Sequence, residues 1–256
     1  MSKIFDASMF FNELDMVELR LNMLHDVVDY FVIVEAAETH SGMSKPYNFD
    51  IQRFEKFAEQ IVYIQVPSLT AFSENSWHRE KFHRSCIQRG LVYAEPDDWI
   101  VVGDADEIIN PDQMVKLKEM PAYIRSVQFE LTMFYYNFHN KVDQGWSIGA
   151  ARKSLDLDPN DIRRCTRTPD VRLFDSGYHL SYFGGTEQII AKHDAFMHRY
   201  DPVIQDLPHD AAFIEGKIEA SQDLYGRNLK IDYVSDPKLP EIVQRYIGHY
   251  QRLGWV

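Results

Sequence analysis

The first half of the chain alternates short apolar runs with stretches whose apolar residues recur at helical spacing. The runs cover residues 4–11, 30–36, 61–66 and 99–103, and β-branched and aromatic residues are frequent in them. Runs of this length are typical of strands that are covered on both faces in a parallel sheet. The pattern therefore predicts an α/β fold with a mostly parallel, Rossmann-like sheet flanked by helices.

Helices are predicted between these strands and near the end of the chain. They cover residues 13–24, 49–60, 75–93, 189–199 and 241–253, with a further helix start at Asn110-Pro111-Asp112. Pro111 supports that start because proline is favoured in the first turn of a helix.

The second half of the chain has longer aromatic and β-branched stretches, over residues 127–138 and 171–183. They predict added, partly antiparallel strands on one side of the sheet. No repeat, low-complexity tract or linker divides the sequence. We therefore expect one domain over residues 1–256, with one half over 1–120 and the other over 121–256.

Composition and charge narrow the class of protein. The 45% of hydrophobic residues suits a globular core, and the net charge of −12 argues against binding to nucleic acid, which requires clustered Lys and Arg. No apolar run reaches the roughly 18 residues of a membrane span, so no stable membrane insertion and a cytoplasmic location are expected. Cys86 and Cys165 are expected to be free thiols there.

An acidic cluster, Asp104-Ala105-Asp106, directly follows the fourth predicted strand. Converging carboxylate oxygens suit Mg²⁺ or Mn²⁺ bridging a diphosphate. Ligands of open α/β sheets bind beyond the carboxyl ends of the strands. The tripeptide alone also fits a solvated acidic turn, so its position after a buried strand carries the interpretation.

A series of motifs in a fixed order extends from residue 6 to about residue 200. The motifs are Phe10-Phe11-Asn12-Glu13-Leu14-Asp15, Phe31-Val32-Ile33-Val34-Glu35-Ala36, Ser41-Gly42, Trp77-His78-Arg79-Glu80, Arg89-Gly90-Leu91, Asp104-Ala105-Asp106-Glu107-Ile108 and Gly177-Tyr178-His179-Leu180-Ser181-Tyr182-Phe183-Gly184-Gly185. This ordered set resembles glycosyltransferase family 17, the family of the β-1,4-mannosyl-glycoprotein 4-β-N-acetylglucosaminyltransferase.

The resemblance implies a GT-A fold, a UDP-sugar donor, specifically UDP-N-acetylglucosamine, and inversion at the anomeric carbon. It also implies a metal cofactor, Mn²⁺ or Mg²⁺, and a glycan acceptor. Because the sequence shows no membrane anchor, polysaccharides, oligosaccharides and lipid-linked glycans are expected as acceptors at least as much as glycoproteins.

Metal contacts are assigned within these motifs. Asp106 is the expected direct metal ligand, and Asp104 is expected on the ribose or on a metal-bound water. His179 is the candidate third ligand because an imidazole suits Mn²⁺ better than Mg²⁺. A hydrogen-bonded core histidine is the alternative for His179, and His198 is a weaker rival as ligand. Glu107 is expected either to support these ligands or to act as a helix-start carboxylate.

Contacts to the donor nucleotide are assigned to side chains upstream of the acidic cluster. Arg79 and Arg84 are candidates for the diphosphate because guanidinium groups match phosphate oxygens, although either also suits a surface salt bridge. Glu35 is expected to contact the base or ribose, or else to be a capping or solvent-facing carboxylate. Trp146 and Tyr182 are candidates for stacking on sugar rings, or for the core.

An inverting transfer requires a base that takes the proton from the acceptor hydroxyl. Glu187 is the first candidate because it follows Gly184-Gly185 and enters a predicted helix. Asp175 is the second candidate. Both residues also suit a helix cap or a turn.

Two other functions are weighed against this one. A metal-dependent nucleotidyltransferase or phosphotransferase would share the carboxylate pair, but residues 10–13 offer no glycine-rich or basic loop. A non-catalytic carbohydrate-binding module would bind sugar with aromatic residues and leave the acidic pair solvated or on Ca²⁺. Such a module would not respond to UDP.

Overall fold

Four parallel strands form the centre of the sheet in the computed structural model, which describes residues 2–164, 168–195, 208 and 210–256. They are β1 (Ile4–Phe10), β2 (Tyr30–Ala36), β3 (Ile61–Val66) and β4 (Trp99–Asp104). Their order is β3-β2-β1-β4, with β1 between β2 and β4. The predicted parallel α/β core is confirmed.

The remaining described strands extend the sheet beyond β4. They are β5 (Glu107–Ile109), β6 (Ser126–Tyr135), β7 (Asn140–Val142), β8 (Trp146–Arg152), β9 (Val171–Leu173), β10 (Gly177–Ser181) and β11 (Ile231–Tyr233). Strand β8 lies antiparallel between β4 and β6, and β7 is antiparallel to β6 and β11. Strands β9 and β10 run parallel to β6, while β5 is antiparallel to β10. The expected mixture of added strands is confirmed.

The described part of the chain contains eight α-helices. They are α1 (Leu14–Leu24), α2 (Ser76–Ser85), α3 (Pro111–Glu119), α4 (Pro159–Arg163), α5 (Gly185–Ala195), α6 (Ala211–Glu219), α7 (Glu241–Arg245) and α8 (Ile247–Arg252). None of these described helices has both the length and the apolar character that crossing a membrane requires.

The helix predicted over residues 49–60 is wrong, because the segment contains turns and one short 3₁₀ helix, Glu55–Phe57. Phe49 stacks on Phe54 at a ring distance of 5.2 Å and on Tyr63 at 4.8 Å. Packing of these aromatic rings on β3 thus fixes the segment without a continuous helix.

Other helix boundaries differ from the prediction for local reasons. Helix α2 gives way at residue 86 to a 3₁₀ helix, Cys86–Gly90, which brings Gly90 against the sheet. A Cβ at Gly90 would lie 2.4 Å from Val32 Cγ1, so the close approach requires glycine. The helix predicted over 241–253 is two short helices, and residues 196–199 of another predicted helix lie outside the described residues.

Both faces of the central strands are buried. Ile33 and Trp99 belong to a hydrophobic cluster on one face, together with residues of α1 such as Leu21. Val34 and Val102 belong to a second cluster on the other face. Alternate residues of each strand thus enter different cores, which explains why the strands read as continuous apolar runs.

A buried arginine connects the first helix to two strands and to the acidic cluster. Arg20 of α1 is 3% exposed, and its Nε and Nη2 atoms donate to the two carboxylate oxygens of Asp6 at 2.6 and 2.5 Å. Its Nη1 atom donates to the backbone carbonyls of Asp104 at 3.1 Å and Glu107 at 2.6 Å. The turn that follows β4 is therefore held in place from beneath.

We expect Arg20→Met to lower the free energy of unfolding by about 3 to 5 kcal/mol, because it leaves the Asp6 carboxylate buried without its cation. Urea denaturation of the purified protein measures this loss. Arg53→Met is the matched control: Arg53 forms more exposed ion pairs with Asp15 and Glu18, whose loss should cost less than about 1 kcal/mol. Equal losses in the two variants would contradict the role given to Arg20.

Candidate active site

A cavity of about 620 Å³ opens at the carboxyl ends of β1 and β4. The order of strand addition reverses between these two neighbouring strands: β2 and β3 are added on one side of β1, whereas β4 is added on the other. Such crevices are the usual ligand sites of open α/β sheets. The volume falls within the range of small-molecule sites, roughly 300 to 1,000 Å³.

Asp104 ends β4 and lines the cavity between two arginines. Its carboxylate accepts hydrogen bonds from Arg84 Nη2 at 3.1 Å and from Arg163 Nη2 at 2.8 Å. Burial alone would raise the pKa of Asp104, but the two guanidinium groups outweigh it and hold that pKa well below its usual range. Asp104 is therefore an anion over the whole physiological pH range.

Asp106 faces the cavity from the next turn. Lys192 Nζ of α5 donates to its carboxylate at 2.8 Å, and His179 Nε2 of β10 lies 3.8 Å from its other oxygen. Burial would raise the pKa of Asp106, whereas Lys192 and His179 lower it and prevail. The structure thus brings Asp104, Asp106 and His179 together on one wall, whereas His198 lies outside the described residues.

Glu107 is fully buried behind this wall, where it organises the turn. Its carboxylate accepts hydrogen bonds from the Asp104 backbone N–H at 2.6 Å, Trp146 Nε1 at 2.6 Å and Arg163 Nη2 at 2.5 Å. Trp146 in turn packs on His179, with 4.5 Å between the ring centres. Trp146 therefore lines the cavity with its indole N–H already engaged.

The fit of this wall to a divalent cation can be judged from its donors. Among the described residues, no group of three or more His, Cys, Asp and Glu side chains is arranged to hold a metal ion. Asp106 and His179 nevertheless offer an oxygen and an imidazole that suit Mn²⁺, and no described residue is a hydrogen-bond partner of the buried His179 Nδ1. Asp104 is engaged by two arginines, and Lys192 supplies the positive charge next to Asp106.

Two residues expected to bind the nucleotide lie behind the cavity instead. The carboxylate of Glu35 accepts hydrogen bonds from Tyr63 and the backbone of residues 48 and 49, and pairs with Lys45. Within the described part of the chain, the partners of the Arg79 side chain are the backbone carbonyls of His40, Ser73 and Glu74. Neither side chain lines the cavity, because internal partners take up their polar groups, whereas Arg84 does line it.

The two expected bases are also away from the cavity. Glu187 is exposed in the first turn of α5. Asp175 is exposed in the turn before β10, with a φ of 49°, at the opposite end of that strand from the cavity-lining Ser181. Their turn and helix-start positions place both carboxylates in solvent, and neither is among the residues that line the cavity.

Tyrosines and an arginine form the side of the cavity opposite β2. Tyr135 and Tyr182 meet edge to face at 4.9 Å, and Arg227 Nη2 donates to the Tyr135 hydroxyl at 2.8 Å. Tyr225 lines the same region. The predicted sugar-facing role of Tyr182 is consistent with this position, whereas Tyr135, Tyr225 and Arg227 carry no motif that would have identified them.

A family model for glycosyltransferase family 17 matches residues 1–229. The β-1,4-mannosyl-glycoprotein 4-β-N-acetylglucosaminyltransferases of Rattus norvegicus and Homo sapiens are 26% and 25% identical over 168 residues, which cover 60% of this chain. The matches cover 31% and 32% of those relatives, so the similarity spans about a third of their length.

Glucosyl-3-phosphoglycerate synthase from Mycobacterium tuberculosis, solved with Mn²⁺, UDP-glucose and glycerol 3-phosphate, is a similar structure. The TM-score is 0.30 at 15% identity, over 52% of this chain and 44% of that protein.

The lowered pKa of Asp104 predicts a contribution to stability that is lost in acid. A carboxyl group whose pKa is lower in the folded than in the unfolded chain stabilises the fold above its unfolded pKa, and this contribution disappears as the pH falls through the folded pKa. Below about pH 4, the free energy of unfolding should therefore fall more steeply for the wild type than for Asp104→Asn. Urea titrations across a pH series measure both slopes, and parallel curves would show that Asp104 contributes nothing.

Proposed function

The chain belongs to glycosyltransferase family 17, and we propose that it transfers N-acetylglucosamine from UDP-N-acetylglucosamine to a hydroxyl of a glycan, with inversion and with Mn²⁺ or Mg²⁺. The observation that carries the proposal is the wall of the cavity. There, two aspartates at the carboxyl end of β4 are surrounded by Arg84, Arg163 and Lys192.

These cations suit a diphosphate leaving group. The chain as a whole carries a charge of −12, so an anionic donor needs concentrated positive charge where it binds. Arg84 and Arg163 already hold their guanidinium groups in the cavity, and such groups match phosphate oxygens in pairs. In this proposal the diphosphate lies against the two arginines.

A divalent metal would be held by Asp106 and His179 and, when bound, would neutralise charge that develops on the leaving diphosphate. With a metal on Asp106, the ammonium group of Lys192, which pairs with Asp106 in this structure, would instead contact a phosphate of the donor or the acceptor. The tyrosines on the opposite side of the cavity offer aromatic faces to the sugars.

Glu13 is the proposed base. Its Oε2 atom accepts hydrogen bonds from the backbone N–H groups of Phe11 at 3.0 Å and Asn12 at 3.1 Å, which fix the carboxylate at the end of β1. Among the described carboxylates of the cavity, it is the one that has no ion pair and keeps an oxygen without a hydrogen bond.

The other cavity carboxylates are engaged. Glu38 is hydrogen-bonded on both oxygens by Ser68 and Thr70, and Glu80 pairs with Arg84 at 2.5 Å. Glu13 also lines an adjoining pocket of about 190 Å³, together with Asp106, Tyr182 and Lys192. An acceptor hydroxyl entering from that pocket would reach Glu13 and the donor sugar at once.

The donor proposal predicts nucleotide-dependent stabilisation. With Mn²⁺, UDP-N-acetylglucosamine should raise the melting temperature of the wild type, while UDP-glucose and GDP-mannose should raise it less, since selective binding stabilises the fold. Asp106→Ala should lose the part of the shift that depends on Mn²⁺, and transfer to chitin-type or lipid-linked oligosaccharides should fall by about 100-fold or more.

The matched controls are Asp175→Asn and Glu187→Gln, exposed carboxylates outside the cavity, which should keep both the shift and the transfer activity. No shift with any nucleotide sugar would overturn the donor site and favour a carbohydrate-binding module.

If Glu13 is the base, its replacement should lower kcat without changing the affinity for UDP. Glu13→Gln keeps the size of the side chain and an oxygen for the two backbone N–H groups, so the dissociation constant of UDP should change little. Without a proton acceptor, kcat should fall by about 10² to 10⁴-fold. Calorimetry and initial-rate measurements test the two parts. Unchanged kcat would exclude Glu13 as the base, and Glu187→Gln serves again as control.

A further inference from the structure

A pair of histidines lies at the β2 side of the cavity. His40, in the loop after β2, and His83, on α2, both line the cavity, and His40 Nε2 lies 3.1 Å from His83 Nδ1. His83 Nε2 lies 3.2 Å from the carbonyl oxygen of Val34, within β2. A chain of hydrogen bonds therefore runs from the sheet to His40.

The carbonyl at the end of this chain fixes the position of each proton. A carbonyl oxygen can only accept, so the Nε2 atom of His83 must carry a proton and donate it to Val34. In the neutral ring, His83 Nδ1 is then an acceptor, so His40 Nε2 must be the donor. The remaining nitrogen, His40 Nδ1, is left as an acceptor, and no described residue donates to it.

The surroundings keep both rings neutral. Burial, the largest cause, and the charges of Arg84 and Arg79 together lower the pKa of His40 to about 4, although the charge of Asp104 acts in the opposite direction. Burial also holds the pKa of His83 well below its usual range, with His40 and Arg84 contributing. At neutral pH the acceptor character of His40 Nδ1 is therefore permanent.

Helices α2 and α5 both form hydrogen bonds with the loop that carries His40. Arg79, one helical turn before His83, donates from Nε to the backbone carbonyl of His40 at 2.7 Å. Ser41 donates from its backbone N–H to the carbonyl of Ala195 at 3.2 Å and from its hydroxyl to that of Asp194 at 2.9 Å. The Nδ1 atom is thus an acceptor of fixed place and direction.

His40 lines the same cavity as Arg84 and Arg163. The proposed diphosphate site contains Arg84, whose charge acts directly on His40. In this proposal the diphosphate lies beside the end of β4, and in nucleotide sites of open α/β sheets a residue near the end of the second strand contacts the nucleoside. His40 follows that second strand, and Trp77, 45% exposed in the same cavity, offers an aromatic surface nearby.

We propose that His40 Nδ1 accepts the N3–H of a uracil base and so selects uridine nucleotides, with His83 and Arg79 as positioning residues. The central atom of the pairing edge of uracil is a donor, whereas that of cytosine is an acceptor, which would place two lone pairs against each other. A site that leaves a buried polar group unpaired rejects the wrong ligand strongly. The inference rests on the proposed uridine-nucleotide donor.

Calorimetric titration of the full chain with UDP, CDP and N3-methyl-UDP tests the inference. The wild type should bind UDP at least about tenfold more tightly than either of the other two. In His40→Leu, UDP binding should weaken by about tenfold and the three affinities should converge, because the acceptor is gone and the methyl group finds an apolar neighbour. His40→Gln, which restores an acceptor oxygen, should recover part of the preference for UDP.

The outcomes separate this inference from the function on which it rests. Equal binding of UDP and N3-methyl-UDP by the wild type would overturn the role of His40 while leaving the transferase proposal intact. Absence of binding by all three nucleotides would overturn the uridine donor itself. The comparison within the wild type stands even if His40→Leu fails to fold. Tyr123→Leu, a change at an exposed aromatic residue outside the cavity, is the control and should match the wild type.

Discussion

The candidate site depends on the buried ion pair between the Arg20 guanidinium and the Asp6 carboxylate. Removing a guanidinium from water is costly, and the two oxygens of Asp6 offset this cost only because α1 holds Arg20 directly against β1. The same group reaches two backbone carbonyls of the turn after β4. One desolvated cation thus sets the relative positions of two strands, a helix and the acidic turn, and the cavity opens above that junction.

Charge compensation continues from this junction into the cavity. Asp104, Asp106 and Glu107 lie within four positions of one another, and their mutual repulsion is offset by Arg84, Arg163 and Lys192, which come from three different helices. Arg84 pairs with both Glu80 and Asp104, and Arg163 pairs with both Asp104 and Glu107, so each of these cations has two carboxylate partners. A polyanionic ligand and a divalent ion could therefore rearrange the partners without leaving any group uncompensated.

The pattern of apolar residues was sufficient to predict the central strands and the position of the acidic cluster, because both depend on residues that are close in sequence. Strands β1 to β4 are buried on both faces, so they read as apolar runs, and the place of Asp104 and Asp106 follows from the end of β4. The failures concern contacts between distant segments. Lys192 resembles any solvent-facing lysine of a helix until α5 is docked on the sheet. Glu35 stands at a strand end like a ligand contact, but Lys45 and Tyr63 enclose it. The protons of His40 and His83 are fixed by the Val34 carbonyl, which no residue spacing reveals.

The contacts between Arg20 and the turn involve backbone carbonyls at 104 and 107, which every amino acid possesses. The contacts from Arg20 therefore fix the backbone of the turn without using the side chains of Asp104 and Asp106, while the buried Glu107 side chain supports the same turn from within. During divergence of related chains, the side chains at positions 104 and 106 can be exchanged for others of different charge or length while Arg20 and Glu107 keep the backbone beneath them in place. Related chains could therefore acquire different ligand specificities at this turn while they keep the same fold.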